Sequence, residues 1–274
     1  MPRSTFYNLL KSTGREDPDG AIKDAVKSIY ENSRKGNERY GYRRVTLVLR
    51  KTETYSHVNH KKVERIMREL GLFGYVSKND AKKYSSYQGN VGKVADNIVA
   101  RHFDAEEPDT LWSTDITEFY LPKCDRKVYL SPIKDFCDGS IVSHKCSTSP
   151  NMSLVMSMLD SAFAKHPDLK GLVFHSDQGW QYQNPSWVER LKSMDIVQSM
   201  SRKGNCLDNS KMETFFATLK KAIWFGFERK YESPEELVAA IDDYIRWYNE
   251  ERIQVKLGGL SPLQFREQVC RLLA

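Results

Sequence analysis

Apolar residues recur at two different periods along this chain, and the change of period divides it. In residues 21–35, Ile22, Val26 and Ile29 fall at helical spacing. A second short helix is predicted over residues 40–50, around Tyr40-Gly41-Tyr42-Arg43-Arg44. A third is predicted over 59–70, with Asn59 as N-cap, Val63, Ile66, Met67 and Leu70 as its apolar face, and Gly71 as its stop. Residues 76–96 are polar and lysine-bearing, show no period and read as linker. Beyond them strands are predicted at 112–121, 128–136 and 141–147, with Asp138-Gly139 as a turn between the last two. A helix at 154–165, a short strand at 171–175, a helix at 185–194 and a strand at 196–200 follow. A loop at 202–207 leads to a helix over 209–225. A last helix, 234–252, starts at Pro234 and carries Leu237, Ile241, Tyr244, Ile245 and Tyr248 on one face.

Three strands in a meander, then alternating helices and strands, predict an α/β domain: a mixed five-stranded sheet flanked by helices. That order suits a ribonuclease H-like fold. The expected organisation is a helical region at 1–75, a linker at 76–100, the α/β core at 101–230 and a helical extension at 231–274. Core packing is the expected role of the last helix, with a subunit contact as the sharper alternative.

Charge adds to this division. The net charge is +6, but residues 1–100 hold 20 Lys/Arg against 11 Asp/Glu, and the remainder holds 22 against 25. Lys61, Lys62, Arg65 and Arg68 line the polar side of the third helix. Three short helices with a basic last member resemble a helix-turn-helix, in which that helix enters a groove of DNA. A small bundle that only packs on its neighbour is the alternative. No run of 18 apolar residues suggests a membrane span, the N-terminus lacks the apolar core of a secretory signal, and the 5 cysteines form no C-x-x-C pair. A cytoplasmic, nucleoid-associated protein is expected, without a disulfide framework or structural zinc.

Three carboxylates then carry the chemistry. Asp115 lies in a predicted strand beside apolar Trp112, Ile116 and Phe119, where a charge without a partner is costly. Asp177 follows the strand at 171–175, at the kind of exit where α/β sheets bind ligands. Glu213 sits on the helix whose buried stripe is Met212, Phe216, Leu219 and Ile223, about 100° from Met212, with Asp208 as the expected N-cap. Lys220 lies seven residues on, near the same face, placed to reach a phosphate. Singly, each acid reads as an ordinary strand, turn or helix-surface residue. Together, two strand carboxylates and one helix carboxylate can hold two divalent metals, which activate a hydroxyl and stabilise a leaving oxygen at phosphorus. Asp135, in Ile133-Lys134-Asp135-Phe136, is a fourth acid on the strand expected to pair with that of Asp115.

Short stretches spread along nearly the whole chain resemble one family. They include Arg3-Ser4-Thr5-Phe6-Tyr7, Tyr40-Gly41-Tyr42-Arg43-Arg44, Trp112-Ser113-Thr114-Asp115, His175-Ser176-Asp177-Gln178-Gly179 with Gln181-Tyr182, Ser201-Arg202-Lys203-Gly204-Asn205, Asp208-Asn209 through Phe216, Tyr248-Asn249 with Arg252, and Leu260-Ser261-Pro262. The chain resembles the second-reading-frame transposases of the IS-three insertion sequences, within the DDE superfamily that includes retroviral integrases. Two positions depart from the pattern: Ala222, where an acid is frequent, and Ser210, where Ala is usual.

The resemblance implies an integrase core, DNA as substrate, and Asp115, Asp177 and Glu213 as ligands of two Mg²⁺ (or Mn²⁺) ions. Asp115 and Asp177 would share one ion, and one of them with Glu213 would hold the second. Cleavage at a 3′ end would be followed by in-line attack of the exposed hydroxyl, the first joining yielding a circular intermediate. Expected DNA contacts are Lys220, Arg43, Arg44, Lys61, Lys62, Arg65, Arg202 and Lys203. Expected partners are the element's terminal inverted repeats, target DNA, further copies of the chain, and the first-reading-frame protein, separate or fused. The alternatives are a binding protein that holds element ends without cutting and a hydrolase of RNA–DNA hybrids.

Overall fold

The structure is a computed structural model that describes residues 17–74, 94–202 and 206–273. The stretch around Arg3, most of the linker, and Lys203 and Gly204 in the loop lie outside the described residues. The chain forms two compact units, Met1–Val76 and Ser77–Ala274.

In the first unit, α1 (Gly20–Asn32), α2 (Tyr42–Leu49) and α3 (His60–Glu69) pack through Ile22, Val26, Val45, Leu49, Val63, Ile66 and Met67, all buried. The expected boundaries shift by a few residues at most. Asn59 caps α3 by accepting from the Lys61 N–H at 2.9 Å, and Gly71 ends it at φ 67°, a left-handed conformation that glycine adopts without strain.

The second unit is a mixed sheet between helices. Its strands are β1 (Leu111–Thr114), β2 (Thr117–Leu121), β3 (Arg126–Asp135), β4 (Ile141–Ser147), β5 (Val173–Ser176) and β6 (Val197–Met200). β3 pairs antiparallel with β4, and also with both β1 and β2. β5 runs parallel to β1 and to β6. The single strand expected at 112–121 is interrupted at Asp115 and Ile116. Its register against β3 is nevertheless continuous, with Thr114 opposite Ile133 and Thr117 opposite Leu130. Counting across the gap puts Asp115 opposite Pro132, which has no N–H to donate to a neighbouring strand. β1 and β2 are therefore halves of one strand position, and the six segments occupy the five positions expected.

One face of the sheet is covered by α4 (Met152–Lys165) and α6 (Pro185–Lys192). Trp112, Ile133, Phe174, Val155, Met158, Leu159 and Trp187 form its core, with Phe174 edge-on to both Trp112 and Trp187. A single turn, α5 (Trp180–Gln183), precedes α6; it is too short for periodicity to reveal. Two further long helices, α7 (Ser210–Ile223) and α8 (Pro234–Glu250), pack on one another, and α8 contacts β3 and β4. Asn249 on α8 bonds both the N–H and the carbonyl of Ile141, at 2.9 Å each. That packing gives α8 the core role expected for it.

A helix not expected from periodicity, α9 (Pro262–Leu273), completes the unit. Its Arg266 meets Asp109, Asp135 (3.4 Å) and Asp138 (3.1 Å), the last two with fully buried side chains. Asp135 also accepts from the N–H groups of Asp109, Cys137 and the Trp112 indole. Burial and the neighbouring Asp138 raise its carboxyl to about 6. Asp135 thus belongs to this structural cluster.

Arg266→Met leaves the buried Asp135 and Asp138 without their cation, and breaking a buried pair from one side costs about 3–5 kcal/mol. A carboxyl whose folded pKa is raised costs stability when charged, and that cost disappears as the group takes up a proton. The loss in urea-unfolding stability is therefore expected to be large at pH 8 and smaller at pH 5, below the raised value for Asp135.

Candidate active site

Parallel pairing sets the first relation in the site. Leu111, Trp112 and Ser113 stand opposite Val173, Phe174 and His175, a constant offset. Carried two residues past Ser113, the same register brings Asp115 opposite Asp177, beyond the carboxyl ends of neighbouring strands about 4.8 Å apart. Crevices outside those ends are where open α/β sheets hold ligands.

Local hydrogen bonds orient both carboxylates. Asp115 Oδ1 accepts from the Ile116 N–H at 2.7 Å, and Asp177 Oδ1 from the Gly179 N–H at 2.8 Å. A Cβ at position 179 would lie 2.9 Å from Asp177 Oδ1, so only glycine allows this wrap without displacement. The Oδ2 atoms make no such bonds among the described residues. Both acids line an open cleft of about 210 Å³, with Ile116, Glu118, Tyr129, Trp180 and Tyr182 among its walls. Burial, then the Asp177 charge, pushes the Asp115 carboxyl well above its ordinary range, and Glu213 adds to the push. Burial also raises the Asp177 carboxyl.

Glu213 comes from α7, whose buried stripe is Met212, Phe215, Phe216, Leu219, Ala222 and Ile223. Four of these are the expected stripe. The Glu213 side chain is exposed in the first turn, and its carboxyl is raised by what enclosure it has. It does not line the cleft, although its charge reaches Asp115. Among the described residues no three His, Cys, Asp or Glu side chains form a closed metal-binding cluster. The structure therefore brings Asp115 and Asp177 together and holds Glu213 at the margin.

Lys220 lies with its ammonium 5.0 Å from the centre of the Phe119 ring. Burial lowers its pKa, while Glu118 and Asp115 pull the other way. Asp208 does not cap α7 as expected; the N-cap is Asn209, and Asp208 sits in the preceding 3-10 turn. Its carboxylate is turned to Arg101 and Arg202, which bond it at 3.0 and 2.9 Å. Arg202 is thus an anchor of the loop.

In the helical unit, Arg44 is paired with Glu38 at 2.7 Å, Lys62 with Asp19 at 2.7 Å, and Arg65 with both Asp19 and Glu69. Arg43 is exposed and packs on Tyr42, and Lys61 is exposed without an ion pair among the described residues. Two further buried groups were given no role by the motifs in which they stand. Lys134 donates at 2.8 Å to both the Gly139 carbonyl and the Tyr248 hydroxyl, with its ammonium over the Phe215 ring of α7. Asn209 bonds the strand of Asp115. The sequence places it at the start of the helix, within the stretch Asp208-Asn209 through Phe216, and gives it no strand partner.

The family model described as "Integrase core domain" matches residues 105–206, and a second of the same description matches 213–270. The model described as "HTH-like domain" matches residues 17–79. The putative transposase InsK for insertion sequence element IS150 of Escherichia coli (strain K12) is 43% identical over 98% of this chain and 90% of its own length. An uncharacterized transposase-like protein of Haemophilus influenzae is 49% identical over 77% of this chain and 94% of its own length. Among solved structures, a chain of the simian T-cell lymphotropic virus intasome in complex with PP2A regulatory subunit B56 gamma shares the fold. It has a TM-score of 0.52 and 16% identity, covering 78% of this chain and 68% of that one.

Because the Asp115 carboxyl is raised above 3.8, its charged form costs folding stability at neutral pH, and the cost vanishes below that value. Asp115→Asn is expected to raise stability in divalent-free buffer at pH 8. The gain should close toward pH 3.5. Urea titrations at the two pH values measure both.

Proposed function

This chain belongs to the insertion-sequence transposases built on an integrase core, and we propose that it cuts and rejoins the ends of a mobile DNA element using Asp115, Asp177 and Glu213. The observation that carries the reading is the placement of Asp115 beside Asp177 at the carboxyl ends of parallel β1 and β5, with the Glu213 charge within reach.

The donor set fits a hard divalent cation such as Mg²⁺ or Mn²⁺, because it consists of carboxylate oxygens alone. Asp115 and Asp177 repel each other when both are charged, and each keeps its Oδ2 free of the backbone bond that holds its Oδ1. Asp115 and Asp177 would hold one ion, and Glu213 with one of them a second. Bound there, two ions would supply Lewis-acid activation of the attacking oxygen and charge stabilisation of the leaving oxygen.

The chain's own residues supply orientation and charge. Backbone N–H groups of Ile116 and Gly179 fix the two strand carboxylates. Glu213, exposed on α7, has the rotamer freedom to close on an ion that the strand pair has bound. Lys220, half-buried over Phe119, offers its ammonium to a phosphate of the bound strand. The HTH-like domain would hold the terminal repeat, with Lys61 and Arg43, both exposed, reaching its phosphates. Assembly would be as a homo-oligomer on DNA, with a first-reading-frame protein, fused or separate, as a partner.

Incubation of the full chain with a labelled element-end duplex and Mg²⁺ is expected to give nicking and joined product. Glu213→Gln should lower the cleavage rate by roughly a thousandfold or more while DNA affinity stays within a few-fold. Binding without cutting in the unaltered chain, or digestion of RNA–DNA hybrid in place of joining, would overturn the reading.

Lys61→Ala should weaken binding evenly across DNA sequences and reduce the slope of log affinity against log salt by about 1. Arg44→Ala should instead lower the melting temperature, because it removes the 2.7 Å ion pair that Arg44 makes with the largely buried Glu38.

A further inference from the structure

Four asparagines stand at helix N-caps among the described residues. Three of them cap. Asn59 accepts from the Lys61 N–H at 2.9 Å, Asn151 from the Leu154 N–H at 3.2 Å, and Asn184 from the Ser186 N–H at 3.0 Å. Asn209, at the start of α7, makes no side-chain bond to its own helix. Its Oδ1 accepts from Ser113 Oγ at 2.8 Å, and its Nδ2 donates to the Thr114 carbonyl at 3.3 Å. All three residues are buried. An amide suited to capping has been turned onto the strand opposite.

The two residues it grips are the last of β1, and the next in the chain is Asp115. Four residues beyond Asn209, about one helical turn, is Glu213. One side chain therefore links the strand that leads into one acid to the helix that carries another. The residue before it locks the same junction. Asp208 Oδ1 accepts from Arg101 Nε at 3.0 Å and Arg202 Nη2 at 2.9 Å. Its Oδ2 accepts from Asn97 Nδ2 at 3.0 Å, and from Arg202 Nε and the Arg202 N–H at 2.9 and 3.0 Å. The start of α7 is thus tied to the segment before β1 through Asp208, and to the end of β1 through Asn209.

We propose that Asn209 is a positioning residue that sets the separation of Glu213 from Asp115, with Asp208 bracing the junction from its other side. The proposal rests on the reading of Glu213 as a catalytic carboxylate. Asn209 reaches the chemistry only through Ser113 and Thr114, so its loss should affect turnover and leave DNA affinity intact. Amide identity matters: the carbonyl oxygen serves the Ser113 hydroxyl while the NH₂ serves the Thr114 carbonyl, and an ionised carboxylate of the same size would serve only the first.

The test uses the full chain and an element-end duplex. Asn209→Ala is expected to lower kcat for cleavage by roughly 10- to 100-fold, the scale of an ångström's misplacement, with KM and the DNA dissociation constant within twofold. Ser113→Ala removes one of the two bonds and should give a smaller fall. The double variant should be no slower than Asn209→Ala alone, because both changes break one link. A readout without turnover is amide hydrogen exchange in divalent-free buffer. Asn209→Ala should speed exchange at Asp115, Ile116 and the first turn of α7, leaving β4 unchanged.

An unaltered kcat for Asn209→Ala, or faster exchange spread evenly over the sheet, overturns the proposal. If Asn209→Ala fails to fold, Ser113→Ala carries the test, and an unaltered kcat there has the same consequence. Glu213→Gln, assayed alongside, separates the premise from the inference. Cleavage by Glu213→Gln defeats the catalytic reading. Loss of cleavage there with an unaltered Asn209→Ala defeats the positioning role alone.

Discussion

The parallel pairing of β1 with β5 is the constraint on which the rest of the catalytic unit depends. Neighbouring strands lie about 4.8 Å apart, and a constant register offset carries Asp115 to the level of Asp177. Two carboxylates so placed oppose each other's ionisation, and burial adds to the cost. A fold directed to stability alone would place a neutral or cationic side chain at one of the two positions. The pair is held by backbone N–H groups from the residues that follow each acid, at Ile116 and Gly179, so its orientation does not depend on distant side chains. The strain of like charges is thus kept where a cation and a phosphate can relieve it.

Around that pair the structure is joined by buried polar links as well as apolar packing. Arg266 of α9 pairs with Asp109, Asp135 and Asp138, and Asp135 in turn receives the Trp112 indole N–H from β1. Lys134 of β3 reaches Tyr248 of α8 and lies over Phe215 of α7. Asn249 bonds both backbone groups of Ile141. Each link ties the sheet to one of the last helices, so α8 and α9 are integral to the unit that carries the three acids. Directional bonds of this kind fix relative placement more sharply than apolar contact, because their geometry tolerates little displacement.

Much of this was legible along the chain. The helical stripe of α7, the Asn59 cap with its Gly71 stop, and the three-stranded meander all follow from side-chain period and turn chemistry, which are local. What was not legible has a common cause. The break between β1 and β2 depends on Pro132 arriving opposite Asp115, a matter of register. α9 has its stripe crossed by Arg266, whose carboxylate partners stand 128 and 131 residues upstream. Asp208 has the residue type of a cap but falls one residue short of the cap position, and Asn97, Arg101 and Arg202 hold its carboxylate.

The amino-acid sequence by itself determined most of the elements and their order, and the three acidic side chains with their immediate contexts, because propensity, period and turn residues act over a few positions. Only the tertiary structure decided which groups meet: Asp115 beside Asp177, Glu213 at their margin, Asn209 turned from its helix to the strand, and Arg266 among three aspartates. Strand register and helix docking are settled by burial and charge summed over the whole unit, and no short stretch of the chain contains that sum.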